Sequence, residues 1–367
     1  MVEKESLEAG KRIAIPDDLI RTLAMALVIL LHASNETLEL LPSGTTTYWW
    51  TAVVYKSLAL SCVPLFVLLS GALLLQPAKL NEPIRVFLRK RLSRIGLAFA
   101  FWSAVYTIWS FYFPPSFYGS HPPITLTNVG QAILFDLFSG AYYQFWFIYL
   151  IVGLYLITPI LRVIIASGNW RVIRYLILLW FVGVAVVPIV QLVSGYVLNS
   201  TLFVIGGWVG YFVLGVYLQR IKLRSAILYS LLIICFVWTI FGIWLMNYPF
   251  SGLQQNYFFF GYLTPNVIIG SAALFMILIR FRPDWPGSNH KITSRIAQAI
   301  SKNTLPIFLF HVIILESFER GFFGFTLSVT TLNPIIEIPL ITALTLFVTL
   351  GLVLLMRKVP VLKKLIG

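Results

Sequence analysis

Arg21 and His32 stand eleven residues apart in the first long apolar block of this chain, and Asp17 and Asp18 come just before them. At 100° per residue, the step from Arg21 to His32 ends about 20° from a whole number of turns, so a straight helix places both on one face. Asp18 falls within about 60° of both by the same count. The rise from arginine to histidine is about 16 Å, which puts a guanidinium at a membrane surface and an imidazole well inside the bilayer. Ionisable groups at such depth are costly and mark substrate or proton paths. A structural reading competes with this one. Asp18 and Arg21 would form a helix-end pair at i, i+3, and His32 would only hydrogen-bond across helices.

A second basic group, from Phe87 through Arg89, Lys90, Arg91 and Arg94, leads into the third apolar block. An inner basic run is ordinarily a topology signal that meets anionic lipid. Arg91 and Arg94, at i and i+3, nevertheless share a face at the membrane boundary, where two guanidiniums can clamp a phosphate. His311 is the second histidine inside an apolar block, and it reaches a depth similar to that of His32. Two histidines at one depth allow a shared polar site. Glu316 and Glu319 follow near the outer end of the same helix, and Asn266 is predicted to be buried in the eighth span. Cys62 and Cys235 lack metal-ligand spacing and read as small buried hydrophobes. There is no P-loop, Gly-rich dinucleotide fingerprint or metal-ligand His/Glu spacing, so no metal is expected.

The elements that must position these residues are set by composition. Of 367 residues, 59% are hydrophobic and 11% charged, and the mean hydropathy is +0.88. Soluble domains carry about 25% charged residues, so this chain has too few to cover a water-facing surface. Apolar blocks run from residue 20 onward without a polar stretch long enough to fold separately. The expectation is an all-α, polytopic membrane bundle, one domain over 1–367, with a short cytoplasmic N-terminal segment at 1–17. Blocks of about 20 apolar residues, the length a bilayer core requires, predict ten spans. They fall at 20–40, 50–75, 95–115, 144–165, 172–193, 200–219, 225–247, 259–280, 296–318 and 335–356. Pro64, Pro159, Pro188, Pro265 and Pro306 fall inside these blocks, which neighbouring helices can tolerate in a membrane. No small-residue cleavage site follows the first block, so a cleaved signal peptide is not expected.

This count alternates the cations. It places 25 of the 27 Lys and Arg residues on one side and leaves Lys56 and Arg320 towards the other. One missed or invented span would scramble that pattern, so it predicts both ends of the chain inside. It also removes the nucleic-acid reading of the +14 net charge, because the charge is spread over every inner connection. The longest outer connection, 116–143, has no Lys or Arg, carries Asp136 as its one acid and is rich in aromatics. An interfacial anchor is favoured there over stacking on sugar rings. The glycosylation-like triplets at Asn35 and Asn199 lie close to membrane ends and carry little weight.

At these residues the chain resembles acyltransferase family 3, integral membrane proteins many of which O-acylate surface glycans. The family's first helix has a basic residue, ten others and a histidine in a DxxR context, matched by Asp18, Arg21 and His32. The stretch Cys62 to Gly71, with Pro64, Ser70 and Gly71, resembles its next signature, although Ala72 stands where an aromatic often follows. Arg91 and Arg94 match its RxxR. Phe145-Trp146-Phe147 with Tyr155 and Pro159 resembles a further segment, and Ser301 to His311 a late helix, with Phe308 where Tyr is common. The matches run in order from residue 18 to 311.

The resemblance implies transfer of an acyl group from acyl-CoA, with acetyl-CoA the default donor, to a hydroxyl of a glycan or glycolipid at the cell membrane. His32 would be the general base, and Arg21, Arg91 and Arg94 would hold the coenzyme's phosphates. His311 would orient His32 or the acceptor, with Asp18, Ser70 and Trp146 in support. The separation of about 16 Å along the first helix suits a pantetheine arm. On the residues alone, a secondary transporter using intramembrane His, Asp and Arg as its path leads. The resemblance moves acyl transfer ahead of it, and the lack of an evident internal repeat also weighs mildly against transport. A purely structural membrane protein would have no need for an aligned Asp18, Arg21 and His32.

Overall fold

The computed structural model describes residues 16–113, 126–195, 207–251, 257–281 and 291–367, and every regular element among them is helical. The first half comprises α1 (Asp17–Leu40), α2 (Thr47–Ala59), α3 (Cys62–Leu74), α4 (Ile84–Tyr112), α5 (Leu126–Ser139), α6 (Trp146–Ala166) and α7 (Trp170–Phe181). After a π-helical turn at Val182–Val186 come α8 (Val187–Ser194), α9 (Val209–Leu218), α10 (Ser225–Asn247) and α11 (Pro265–Leu278). The chain continues with α12 (Lys291–Lys302), α13 (Thr304–Glu319), α14 (Pro334–Met356) and α15 (Pro360–Leu365).

Among the described residues, eight helical runs are long and apolar enough to cross a membrane: Asp17–Leu40, Thr47–Leu74, Ile84–Tyr112, Gly130–Ala166, Trp170–Ser194, Ser225–Asn247, Phe258–Leu278 and Pro334–Met356. They coincide with eight of the ten predicted spans. Of the other two, one is bent and one is only partly described. The block at 296–318 is not one straight helix, because Ser294–Lys302 and Thr304–Glu319 meet at 87°. Pro306 is the physical reason: it has no N–H for the Lys302 carbonyl, and its ring clashes with a carbonyl four residues back, so the helix restarts at Thr304. The block at 200–219 is represented by α9, ten residues long, and its earlier part lies outside the described residues. Residues 1–15 of the predicted N-terminal segment, Asn199 and residues 116–125 of the outer connection also lie outside them. Where 116–143 is described, it holds the helix α5, tied to α4 by a hydrogen bond of 2.7 Å from Thr107 Oγ1 to Asp136.

The prolines follow the same logic as Pro306. Pro188 follows directly on the π-helical turn inside the continuous run Trp170–Ser194, whereas Pro265 opens α11 and Pro64 is the third residue of α3. At Pro265 and Pro64 the missing N–H would have no intrahelical partner. Pro159 lies inside α6.

The outward surface is apolar where a soluble protein would be polar. On α10, Ile233, Ile234, Val237 and Phe241 are all exposed, as expected of side chains whose solvent is lipid. The first helix is the hub. It packs against α2, α3, α12 and α14, and less extensively against α13 and α11. Its buried stripe, Ile20, Ala24, Val28 and Leu31, recurs at helical spacing. Thr22 Oγ1 donates to Ala297 O at 3.0 Å and ties it to α12. The tightest crossing is that of α3 and α9, where glycines meet backbone from both sides. A Cβ at Gly71 would lie 1.8 Å from Phe212 O, and one at Gly215 would lie 2.0 Å from Leu68 O. This explains the Gly that follows Ser70: close helix approach in a membrane depends on small residues.

Candidate active site

Near the start of α1, Arg21 opens onto a cavity of about 350 Å³. The run Lys90, Arg91 and Arg94 on α4 and Lys79 from the short 3₁₀ turn Pro77–Lys79 supply four more cations to its wall. Ser70, Tyr155 and Ser301 line it as well. The carboxylate that reaches Arg21 is Asp17, at 3.7 Å, and Asp18 is not part of the cavity wall. Arg21 and Arg91 each hold a buried Nε without a hydrogen-bond partner. Arg91 stands over the rings of Phe87 and Tyr155, at 6.0 and 5.9 Å.

One buried strut holds this end of the bundle in shape. Arg162, 3% exposed, donates from Nε to Leu74 O at 2.9 Å and from Nη2 to Glu82 at 3.0 Å. Its guanidinium covers the Phe87 ring at 4.4 Å. Lys79 Nζ donates to Leu73 O, so the free carbonyls at the end of α3 are met by two cations, as a helix C-terminus favours. Partial burial, with Arg91 and Arg162 nearby, holds the Lys79 ammonium below the usual lysine range.

Beyond the basic cavity lies a void of about 20 Å³. Phe147 and Phe308 belong to the walls of both spaces, and their ring centroids are 5.1 Å apart. His32 faces the void, together with Cys62, Gln144, Trp146 and Tyr262. The His32 ring lies 5.3 Å from that of His311 and 5.1 Å from that of Tyr143. His311 is fully buried, and its Nδ1 is 2.7 Å from Phe308 O. A carbonyl only accepts, so Nδ1 carries the hydrogen and Nε2 of the neutral ring is left as an acceptor. That Nε2 has no hydrogen-bond partner among the described residues, nor does the buried Nδ1 of His32.

On its other side, His32 lines a third cavity of about 990 Å³. Asn35, Glu36 and Glu39 from α1 and Glu316, Glu319 and Arg320 from the end of α13 face this space. Glu316 is fixed as an acceptor of hydrogen bonds from Tyr142 at 2.5 Å and Trp109 Nε1 at 2.9 Å, with Arg320 at 3.8 Å. Tyr142 and Tyr143 get there through a sharp return after α5, at Gly140, whose φ of 97° is open to glycine at little cost. The two cations that the sequence count sets apart from the other 25 are both at this end. Arg320 pairs with Glu316, and Lys56 donates to Asn35 at 2.7 Å.

The arrangement brings together Arg21, Arg91, Arg94 and Ser70 in one cavity, Trp146 and His32 around the void, and His311 against His32. Asp18 is left aside. Sequence spacing does not pick out Phe147, Phe308, Gln144 or the acidic cavity. Lys79 and Lys90 count there only as topology charges. Asn266, which the sequence places inside a span, is structural: Nδ2 donates to Thr239 Oγ1 and Phe259 O.

Chemically, the site offers a polyanion mouth, a buried imidazole and an opposite opening for a second reactant. Comparison with curated proteins and with solved structures gave no match. A family model described as an acyltransferase domain matches residues 18–354, which is nearly the whole chain. The match gives the transporter reading no support, and it takes in Arg21, His32, Arg91, Arg94 and His311. This chain of apolar helices is therefore a membrane acyltransferase and belongs to acyltransferase family 3.

Proposed function

We propose that the protein transfers an acyl group, acetyl by default, from cytoplasmic acyl-CoA to a hydroxyl of a surface glycan or lipid-linked sugar. The whole chain acts as one domain of the cell membrane, with both ends inside. The observation that carries this reading is the place of His32 between an acidic cavity and a small void, the void being parted from the basic cavity by Phe147 and Phe308. A coenzyme's phosphates suit Arg21, Arg91 and Arg94, since guanidiniums bind such oxygens in charge-assisted pairs. The inner cavity is within the range of about 300–1,000 Å³ usual for small-molecule sites. The inward bias of the cations supports placing this mouth in the cytoplasm, where acyl-CoA is made.

His32 then acts as general base on the acceptor hydroxyl arriving from the outer cavity. His311, with its Nδ1 committed to Phe308 O, keeps Nε2 as an acceptor beside His32 and positions it. The test is turnover. Membranes containing the protein, labelled acetyl-CoA and a glycan acceptor should yield a labelled ester, and His32→Ala should yield none while still inserting and folding. Absence of acylated product from the wild type with any acyl-CoA refutes the reading, and retained turnover in His32→Ala removes the role of that residue.

A further inference from the structure

The void beside His32 contains an amide that the surrounding fold leaves unused. Gln144, in the 3₁₀ turn Tyr143–Phe145, is 1% exposed. Neither its Oε1 nor its Nε2 closes a hydrogen bond of ordinary geometry. The amide faces the Tyr106 hydroxyl, and that hydroxyl gives its own proton to Leu309 O at 2.7 Å. An amide nitrogen carries two hydrogens, so a long contact with Tyr106 still leaves one without a partner. Burial of an unpaired amide opposes folding, and such a group in a native protein calls for a ligand, a water or a catalytic role.

The shape of the void narrows the choice. Val28 and Leu31 close it on the α1 side, and Phe147 and Phe308 close it towards the basic cavity. Its polar wall is formed by His32, Gln144 and the pair Cys62 and Tyr262, whose Sγ and hydroxyl lie 3.9 Å apart. At about 20 Å³ it has room for a group the size of one water, such as a carbonyl oxygen.

We infer that Gln144 is a catalytic hydrogen-bond donor, whose Nε2 holds the thioester carbonyl oxygen of the acyl donor in the void beside His32. This rests on the acyl-transfer reading above. In the addition step the acceptor oxygen bonds to the carbonyl carbon while its proton passes to His32. The carbonyl π pair moves onto oxygen, where the Gln144 N–H stabilises it. In the collapse that pair re-forms the carbonyl, the carbon–sulfur bond breaks, and the leaving thiolate takes the proton from His32. The products are the ester and the free thiol. A neutral donor fixed in a dry wall needs no reorganisation as charge develops, which is what makes such donors effective.

The experiment compares wild type, Gln144→Met and Gln144→Glu as purified full-length protein in lipid nanodiscs, with acetyl-CoA and acceptor. Gln144→Met should lower kcat about 10²- to 10³-fold, the usual effect of removing one such donor. The donor KM should change by less than about threefold. The melting temperature should be unchanged or higher, because an unsatisfied amide has been replaced by an apolar chain of similar length. A kcat within about threefold of wild type overturns the inference, and so does a loss of kcat matched by a loss of thermal stability. If Gln144→Met does not fold, Gln144→Glu decides. A buried carboxyl donates only while protonated, so turnover of this variant should fall towards none as the pH is raised and the group ionises, and near-wild-type turnover across the whole pH range overturns the inference. Wild-type turnover with an inert His32→Ala and a fully active Gln144→Met refutes the role of Gln144 alone. No turnover in wild type refutes acyl transfer and this step together.

Discussion

Phe147 and Phe308 face each other at 5.1 Å between ring centroids, and each belongs at once to the basic cavity and to the void beside His32. One comes from the start of α6 and the other from the first turns of α13, just after the 87° bend. Both are nearly buried. A donor held by its phosphates in the basic cavity therefore meets these rings before the void, and while they are together the basic cavity and the void beside His32 are parted.

Phe308→Leu should weaken that wall. The lost ring costs about 1–3 kcal/mol of stability as a large-to-small core change. The clearer effect should be on coupling: free thiol released from acyl-CoA without acceptor, measured against ester formed with acceptor, should rise. An unchanged ratio would show that the rings do not exclude water.

Arg91→Ala and Arg94→Ala should each raise the KM for acyl-CoA by about tenfold or more, the scale of a lost charge-assisted hydrogen bond. The same variants should handle acyl-pantetheine, which lacks the nucleotide phosphates, much as wild type does. Equal impairment with both donors would argue against phosphate binding.

Lys79 adds a pH dependence. Burial, aided by Arg91 and Arg162, lowers its pKa. A bound polyanion favours the charged ammonium, so donor binding weakens as the pH rises through that lowered pKa, below the ordinary lysine value. The KM for acyl-CoA should climb over that alkaline range in wild type and climb less in Lys79→Arg, whose charge persists. Identical profiles would exclude Lys79 as the group responsible.

Arg162 predicts a loss of stability. It is 3% exposed and joins Leu74 O, Glu82 and the Phe87 ring. Arg162→Ala leaves Glu82 and the end of α3 without their partner. Glu82 is 30% exposed and can turn to solvent, so the cost is mainly that of the unpaired buried carbonyl, about 1–3 kcal/mol. Thermal unfolding in detergent should show this, and the damage should extend to donor affinity because Phe87 adjoins Arg91.

Gly71→Ala and Gly215→Ala should both impair folding. Each added Cβ would meet backbone oxygen within 2.0 Å, so one helix must move away from the other. The cost should be at least the 1–3 kcal/mol of ordinary overpacking, read as lower yield of folded protein. Gly153→Ala on α6, where a Cβ would meet nothing within 4 Å, is the control.

Much of this site was legible before the fold. The eleven-residue step from Arg21 to His32 needs only a straight helix, and α1 is unbroken from Asp17 to Leu40. Arg91 and Arg94 need only one helical turn, and α4 supplies it. What sequence spacing hides is long-range or irregular. The bend before Pro306 was hidden because an apolar block reads the same whether the helix continues or restarts. Asp17 rather than Asp18 meets Arg21 because i, i+4 and i, i+3 partners compete on one face. Gln144 stands in a short 3₁₀ turn next to a span, where no periodicity marks it. The acidic cavity joins α1 to the far end of α13, some 280 positions later in the chain.

Because α1 is one rod packed against six others, the interval of about 16 Å between its guanidinium and its imidazole works as a built-in ruler. Thinning or thickening of the surrounding bilayer can tilt that rod, but it does not stretch it. The rod's jointed neighbour, α12 and α13, is built the other way, with its bend at Asn303 five residues before Phe308.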